Sequence, residues 1–428
     1  MNVPTKGHGP RDILTKMFDA ALAAAHPATC LPPHLPAPPK GRTIVVGAGK
    51  AAAAMAKAVE DNWPEDAPLE GLVTTRYGSR LPCERIDVVE ADHPVPDQAG
   101  ADAAARMLDL VSDLTADDMV LALISGGGSA LLTLPAPGIS LADKQAVTDA
   151  LLSSGAPIQD INCVRKHLSA IKGGRLTRAA APAQVVALLI SDVVGDDSSV
   201  IASGPTVADP TTTEDALVVL KRFKIDTPTS IRRHLVSGTD ESPKPGDPIF
   251  ANTTTRLIAT PSMSLDAAAK IAEAAGYNVE MLGDAVEGEA RDVAYNHARF
   301  LVETPPDTVV LSGGELTVTK QGNGKGGPNG EYGLALALAL TVTLDANKNI
   351  HALAADTDGI DGSGDNAGVF IDPDTLTRAQ TANLDARTFL DANDSYGFFS
   401  ALGDLFITGP THTNVNDFRA IIVGNGVA

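Results

Sequence analysis

Three cysteines in 428 residues, Cys30, Cys83 and Cys163, form no CxxC pair and leave an odd count. That excludes a disulfide framework and a zinc-finger type of site, and it fits a reducing cytoplasm. Basic residues are also scarce. The 33 Lys and Arg stand against 53 Asp and Glu, a net charge of −20, and no basic cluster of the kind nucleic acid requires is present. An anionic ligand must therefore be captured by a few local cations and backbone donors. Aromatic residues make up only 4% of the chain, so Ala, Leu and Val must supply most of the core volume. Long apolar runs are missing as well: "LALALALTVTL" at 334–344 is too short to span a bilayer. The opening "MNVPTKGHGPRDILTKMF" has no apolar segment of the secretory type, so neither membrane insertion nor export is expected.

What is present reads as alternating strands and helices. The length predicts two domains of roughly 200 residues each. An amphipathic helix over 11–27 and the Pro-rich connector "PPHLPAPPKG" precede "RTIVVGAGKAAAAMAKAVED", a strand, Gly turn and Ala-rich helix. "GLVTTRYG", "IDVVEADHPVPD", a helix over 97–113, "LALISGGGSALL" and "QVVALLISDVVGDD" continue the alternation. The pattern predicts an α/β fold, a doubly wound and mostly parallel sheet over residues 10–240. The polar, Pro/Gly-rich "SGTDESPKPGDP" at 237–248 reads as the linker to a second, smaller α/β domain over 249–428. There, "DTVVLSGGELTV" echoes the strand plus SGG of the first domain without establishing a repeat.

Four stretches carry residue types suited to handling anions. In "VVGAGKAA", Gly47, Gly49 and Lys50 precede a helix N-terminus, where N–H groups and the helix dipole favour negative charge. It is not a P-loop, since Ile44 and Ala51 replace the glycine and hydroxyl residues that motif needs. After the apolar run 121–124 come Ser125, Gly126, Gly127, Gly128 and Ser129, three glycines that expose backbone donors. A nucleophile elbow is disfavoured because Leu131 stands where that motif has glycine. In "INCVRKHLSAIKGGRL", Arg165 and Lys172 fall beside the apolar stripe Ile161, Val164, Leu168 and Ile171, with Lys166 and Arg175 nearby. Asp192, Asp196 and Asp197 follow a buried strand, at the sheet edge where open α/β folds bind ligands. They are candidate Mg²⁺ ligands or general bases, with turn formation as the plain alternative. A second acidic loop carries Asp356, Asp358, Asp361 and Asp365 but fails the EF-hand spacing at Ile360 and Ala367.

Taken in order, "VVGAGKAA", "ADHPVPD", "LISGGGSALL", "NCVRKHLSAIKGGRL", "SDVVGDDSSVIASGPTVAD", "SGGELTVT", "GKGGPNGE", "AADTDGIDGSGDNAG" and "THTNVND" resemble the class II glycerate kinases, the glycerate 2-kinases with a C-terminal MOFRL domain. Some members of that family are labelled hydroxypyruvate reductases. The resemblance covers nearly the whole chain and implies a Rossmann-like N-terminal domain and a smaller α/β MOFRL domain around a cleft. ATP, Mg²⁺ and D-glycerate would meet there, and a homodimer is left open. It implies catalytic roles for Lys50, Arg165, Asp192 and Asp197, and metal binding by Asp192, Asp196 and Asp197. Substrate or nucleotide binding would fall to Gly47, Gly49, Ser125 to Ser129, Lys166, Lys172, Glu315, Lys325, Asp356 and Asp358. The chain departs from the family pattern at two points. Pro328 stands where arginine is frequent, leaving Lys325 as the nearest cation, and His412 replaces a small residue.

Two other function classes were weighed. An NAD(P)-dependent hydroxypyruvate reductase rests on the G-x-G-x-x-A match alone. The acidic residue that should follow the second strand is missing, with Arg76 and Tyr77 there instead. A non-enzymatic anion-binding protein would use the same donors but has no use for two acidic loops.

Overall fold

The computed structural model describes residues 9–343 and 348–425. Residues 1–8, part of the segment read against export, and Leu344, the end of the apolar stretch, lie outside the described residues. The chain forms two compact units, His26–Ile258 and one joining the residues up to Ala25 with those from Ala259 onward.

In the first unit, β1 (Thr43–Ala48), β2 (Leu69–Arg76), β3 (Ile86–Ala91), β4 (Met119–Ile124), β5 (Gln184–Ile190) and β6 (Thr253–Ala259) make one sheet of order β3-β2-β1-β4-β5-β6. The ladders linking β3, β2, β1, β4 and β5 are all parallel. Every residue of β1 and β4 is buried, as expected of a parallel sheet covered on both faces. The strand order reverses between β1 and β4. Both strands end there in glycine loops, so the crevice that such a reversal opens lies at Gly49–Lys50 and Ser125–Gly128.

Glycine is dictated by close approach at Gly47, whose neighbour in register on β4 is Leu123. A Cβ at Gly47 would stand 2.1 Å from the Leu123 carbonyl oxygen, and backbone in the middle of a sheet cannot retreat. Gly47→Ala is expected to destabilise the fold by about 3 kcal/mol, the upper end of overpacking costs. Denaturant unfolding checks this, and a midpoint equal to that of the parent would refute it.

The second unit contains β7 (Asn278–Gly283), β8 (Gly288–Glu289), β9 (Thr308–Gly314), β10 (Leu316–Thr317), β11 (Lys348–Asp356), β12 (Gly368–Ile371), β13 (Leu405–Phe406) and β14 (Asp417–Asn425). Six of these form a mixed sheet, β13-β12-β11-β14-β9-β7, with β8 and β10 paired separately. Alternate residues of β14 feed two cores. Ala420 and Ile422 pack with Leu14, Phe18 and Leu265, whereas Ile421 and Val423 pack with Ala294, Leu336 and Phe399. The sheet is thus a buried middle layer between helices.

Two details differ from the sequence-based division. The helix Pro10–Ala25 belongs with the second unit, because its stripe of Ile13, Leu14, Met17, Phe18 and Ala21 packs on Leu265 and Ala268 of the helix Pro261–Ala274. Residues 237–248 are not an inter-domain linker. Ser242 is buried with its hydroxyl on Asp209, and the Asp240 carbonyl accepts from Arg175 at 2.6 Å, while β6 beyond them completes the first sheet.

Candidate active site

The glycine turn after β1 is closed by the loop after β4. Gly49 donates its N–H to the Thr74 carbonyl, Lys50 to the Gly126 carbonyl at 2.8 Å, and Ala51 to Ser125 Oγ at 3.0 Å. A Cβ at Gly49, where φ is +142°, would meet Ser125 Oγ at 2.1 Å. Gly47 lies inside β1 and Ser125 is fully buried, so Gly47, Gly49 and Ser125 act as packing partners. The backbone at 47–51 is therefore not the anion cradle expected of it. The helix Ala52–Asn62 has Ala51 as its cap.

The donors lie in the second loop. Gly128 donates to the Ser125 carbonyl, but neither Gly126 nor Gly127 donates to a protein acceptor among the described residues. Gly127 takes the left-handed region at φ 78°. A Cβ there would stand 3.1 Å from the His93 ring and 3.3 Å from Lys50 Cγ. The site thus joins two unused N–H groups to the side chains of Lys50 and His93. Ser129, two residues beyond Gly127, contacts Ser203 Oγ at 3.1 Å, and Ser203 donates to Asn162 at 2.9 Å.

The cations of 165–175 divide into two kinds. The helix Ile158–His167 stops at Leu168 rather than running on, and Lys172 sits in a turn before Gly173 and Gly174, both at positive φ. Lys166 is buried and pairs with Asp209 at 3.5 Å, and Arg175 donates to the carbonyls of Lys166, Lys172 and Asp240. These two hold the fold, which removes Lys166 from the ligand-binding set. Arg165 and Lys172 instead line a cleft shared with Pro94, Ser129, Lys144 and Asp149. Lys172 donates to the Ala202 carbonyl at 3.0 Å. Burial, with Lys144 and Arg165 close by, pushes its ammonium well below the usual lysine range.

The three acids after β5 do not act as one cluster. Asp197 is exposed, and its carboxylate accepts the Ser199 N–H at 2.8 Å in a local turn. Asp196 is held at φ 55°, with a buried Oδ1 that has no hydrogen-bond partner among the described residues. Among the described residues no group of three or more His, Cys, Asp or Glu is arranged to hold a metal ion. A three-carboxylate Mg²⁺ site is therefore not what the loop builds. The orphaned Asp196 oxygen does fit a cation that keeps most of its shell for water and phosphate, taking one or two protein carboxylates.

In the second unit, Glu315 and Lys325 are exposed, and Lys325 lies over the Tyr396 ring at 3.7 Å. Asp356 accepts from the Asp358 N–H at 2.8 Å, and Asp358 from the Ile360 N–H at 2.9 Å. These are local turn contacts, as Asp-Gly pairs make without any bound ion. Pro328 opens the helix Pro328–Thr343, a position where its fixed φ and missing N–H cost nothing. His412 adopts φ 58°. Beneath these loops lies a network that sequence reading missed: Asp417 bridges Asn329 and the Leu316 N–H, and the fully buried Arg419 joins Asp417, Ser312 and the Gly313 carbonyl.

Residues 13–236 match the family described as "Domain of unknown function (DUF4147)", and residues 308–417 match the MOFRL family. A D-glycerate 2-kinase of Thermotoga maritima is 39% identical over 97% of this chain and 98% of its own. The crystal structure of a glycerate kinase from the same organism superposes with a TM-score of 0.86 at 38% identity, covering 96% of this chain and 99% of that one. The chain belongs to the class II glycerate kinases. An Agrobacterium vitis relative, 51% identical over 97% of the kinase and 94% of its own length, carries the name "Putative hydroxypyruvate reductase". Among the kinase's described residues no helix is long and apolar enough to cross a membrane.

Sequence reading also passed over Lys144. It occupies the buried stripe of the helix Leu141–Ser153 with Val147 and Leu151. A lysine in an apolar register is the signal that was available.

Proposed function

We propose that the kinase transfers the γ-phosphoryl group of ATP to the C2 hydroxyl of D-glycerate, giving 2-phosphoglycerate and ADP. Membership in the glycerate kinases carries the coarser statement, phosphorylation of glycerate. The observation that carries the rest is local: Gly126 and Gly127, whose N–H groups donate to no protein acceptor among the described residues, lie beside Lys50, and Ser129 in the same loop lines a cation-bearing cleft. Phosphoryl transfer is mostly positioning and charge stabilisation, for which N–H groups and a lysine at developing phosphate charge suffice. Cations that clamp the carboxylate also fix the adjacent C2 oxygen, whereas the C3 oxygen has an extra rotatable bond. Asp192 is the proposed acceptor of the hydroxyl proton. Asp196, with its unpartnered oxygen, would hold Mg²⁺, which when bound neutralises phosphate charge. Glu315, Lys325, Asp356 and Asp358 remain proposed nucleotide or substrate contacts, and ATP is the proposed donor.

The dinucleotide reading is weakened by the closed turn after β1. The N–H groups that would cradle a pyrophosphate there are spent on Thr74, Gly126 and Ser125. With ATP, Mg²⁺ and D-glycerate, enolase coupling is expected to give signal without added mutase, since enolase consumes only the 2-phosphate. Signal that needs mutase would overturn the C2 assignment. NADH oxidation by hydroxypyruvate in place of kinase turnover would overturn the reaction.

A further inference from the structure

The cleft that Ser129 lines is walled by one helix face, three cations, and Pro94, Pro96, Ala130 and Thr133. Leu141, Lys144, Gln145, Thr148, Asp149 and Leu152 follow helical spacing along the helix Leu141–Ser153, with Arg165 and Lys172 facing them. Lys144 Nζ is buried, and no atom among the described residues accepts a hydrogen bond from it. A lysine rarely stays buried without a partner, because an unpaired ammonium loses its hydration and gains nothing in return. Here the cost is compounded by repulsion, since Arg165 and Arg175 act on Lys144, and Lys144 and Arg165 act on Lys172. Asp149 is the carboxylate that offsets Arg165. Two of the lining residues are tied to strained backbone: Lys172 donates to the Ala202 carbonyl and Ser129 contacts Ser203 Oγ, with Ala202 and Ser203 at φ 51° and 59°, strain of the sort that collects at ligand sites.

We propose that this cleft is the subsite for the substrate's carboxylate, with Lys144 as its central contact beside Arg165 and Lys172. The inference rests on the glycerate kinase reading and extends it to a residue and a ligand group. Size argues against a whole nucleotide triphosphate. The cavity measures about 50 Å³, room for about four water-sized groups, which suits one end of a three-carbon acid and not a triphosphate chain. Charge agrees, since a single anion relieves all three cations at once.

Burial and the two arginines push the Lys144 ammonium down to about 7, so the groups that govern its titration are Arg165, Arg175, Lys172 and Asp149. An unfolded lysine titrates near 10.4. Between these values the unfolded chain holds the extra proton, so stability rises with pH across that window and the penalty is complete below it.

The test is Lys144→Met, similar in volume and without charge. The Michaelis constant for D-glycerate is expected to rise by tens of fold while that for ATP stays within twofold. The melting temperature should rise, most strongly below pH 7, with the gain fading toward pH 10. Lys144→Arg, which restores a cation, should recover part of the glycerate affinity. If wild type does not phosphorylate glycerate, the functional reading fails first. If wild type does so and the folded Met variant keeps its glycerate constant, the subsite assignment is wrong. A rise confined to ATP would overturn the carboxylate assignment. Should the Met variant fail to fold, thermal shift of Lys144→Gln with D-glycerate alone decides: stabilisation equal to wild type refutes the proposal.

Discussion

Replacing Lys50 by methionine is expected to lower turnover by about 10²- to 10³-fold while the chain stays folded. Removal of one donor from a preorganised anion site has effects of that order on rate. The backbone of this position donates its N–H to the Gly126 carbonyl and accepts from Thr75 Oγ1 at its own carbonyl, and methionine keeps both. The side-chain stem lies against Gly127, so methionine also keeps that packing. The Gly126 and Gly127 N–H groups, which donate to no protein acceptor among the described residues, lie beside that stem, so negative charge on a transferring phosphoryl group would be met there by backbone donors and a lysine. The loss should fall on turnover more than on the Michaelis constant for either substrate if the contact strengthens in the transition state. Steady-state kinetics beside calorimetry reads both quantities. A folded variant with parental turnover would remove Lys50 from the chemistry.

The pattern of strands was readable because β1 and β4 are continuous apolar runs closed by glycine, which parallel strands buried on both faces require. The loops at the strand reversal were readable for the same reason. What each loop does there was not. Whether the N–H of Ala51 is available to a ligand depends on Ser125 Oγ, a residue 74 positions away, and no local pattern encodes that pairing. Arg165 and Lys166 are neighbours with the same charge, yet Asp209, 43 positions beyond Lys166, claims one of them and leaves the other lining the cleft. The helix Pro10–Ala25 was legible as an amphipathic helix, but its apolar face carries no address. Its partner, Pro261–Ala274, lies more than two hundred residues along the chain. Lys144 has no glycine beside it of the kind that marks Lys50 and Lys172; its meaning comes from standing where an apolar residue should be.

Among the acids after β5, the expected order of effects is Asp192 first, Asp196 second and Asp197 least. Asp192→Asn should lower turnover by about 10²-fold or more, the usual range for loss of a general base, with little change in the Michaelis constant for ATP. Its position two residues past β5 is at the C-terminal sheet edge, and asparagine keeps the shape while losing the ability to accept a proton. Asp196→Asn should act differently. Its buried Oδ1 is available to a cation, and an amide oxygen is a weaker ligand for Mg²⁺ than a carboxylate. The variant should therefore need more Mg²⁺ for half-maximal rate and recover when Mg²⁺ is raised, whereas Asp192→Asn should not recover. Asp197→Asn should cost less than tenfold, because the Ser199 N–H that its carboxylate accepts can be accepted equally by an amide oxygen. Turnover measured across a Mg²⁺ titration separates the three. If Asp197→Asn is the most damaged, or if raised Mg²⁺ rescues Asp192→Asn and leaves Asp196→Asn unchanged, the roles drawn from the orphaned oxygen and the local turn are assigned to the wrong residues.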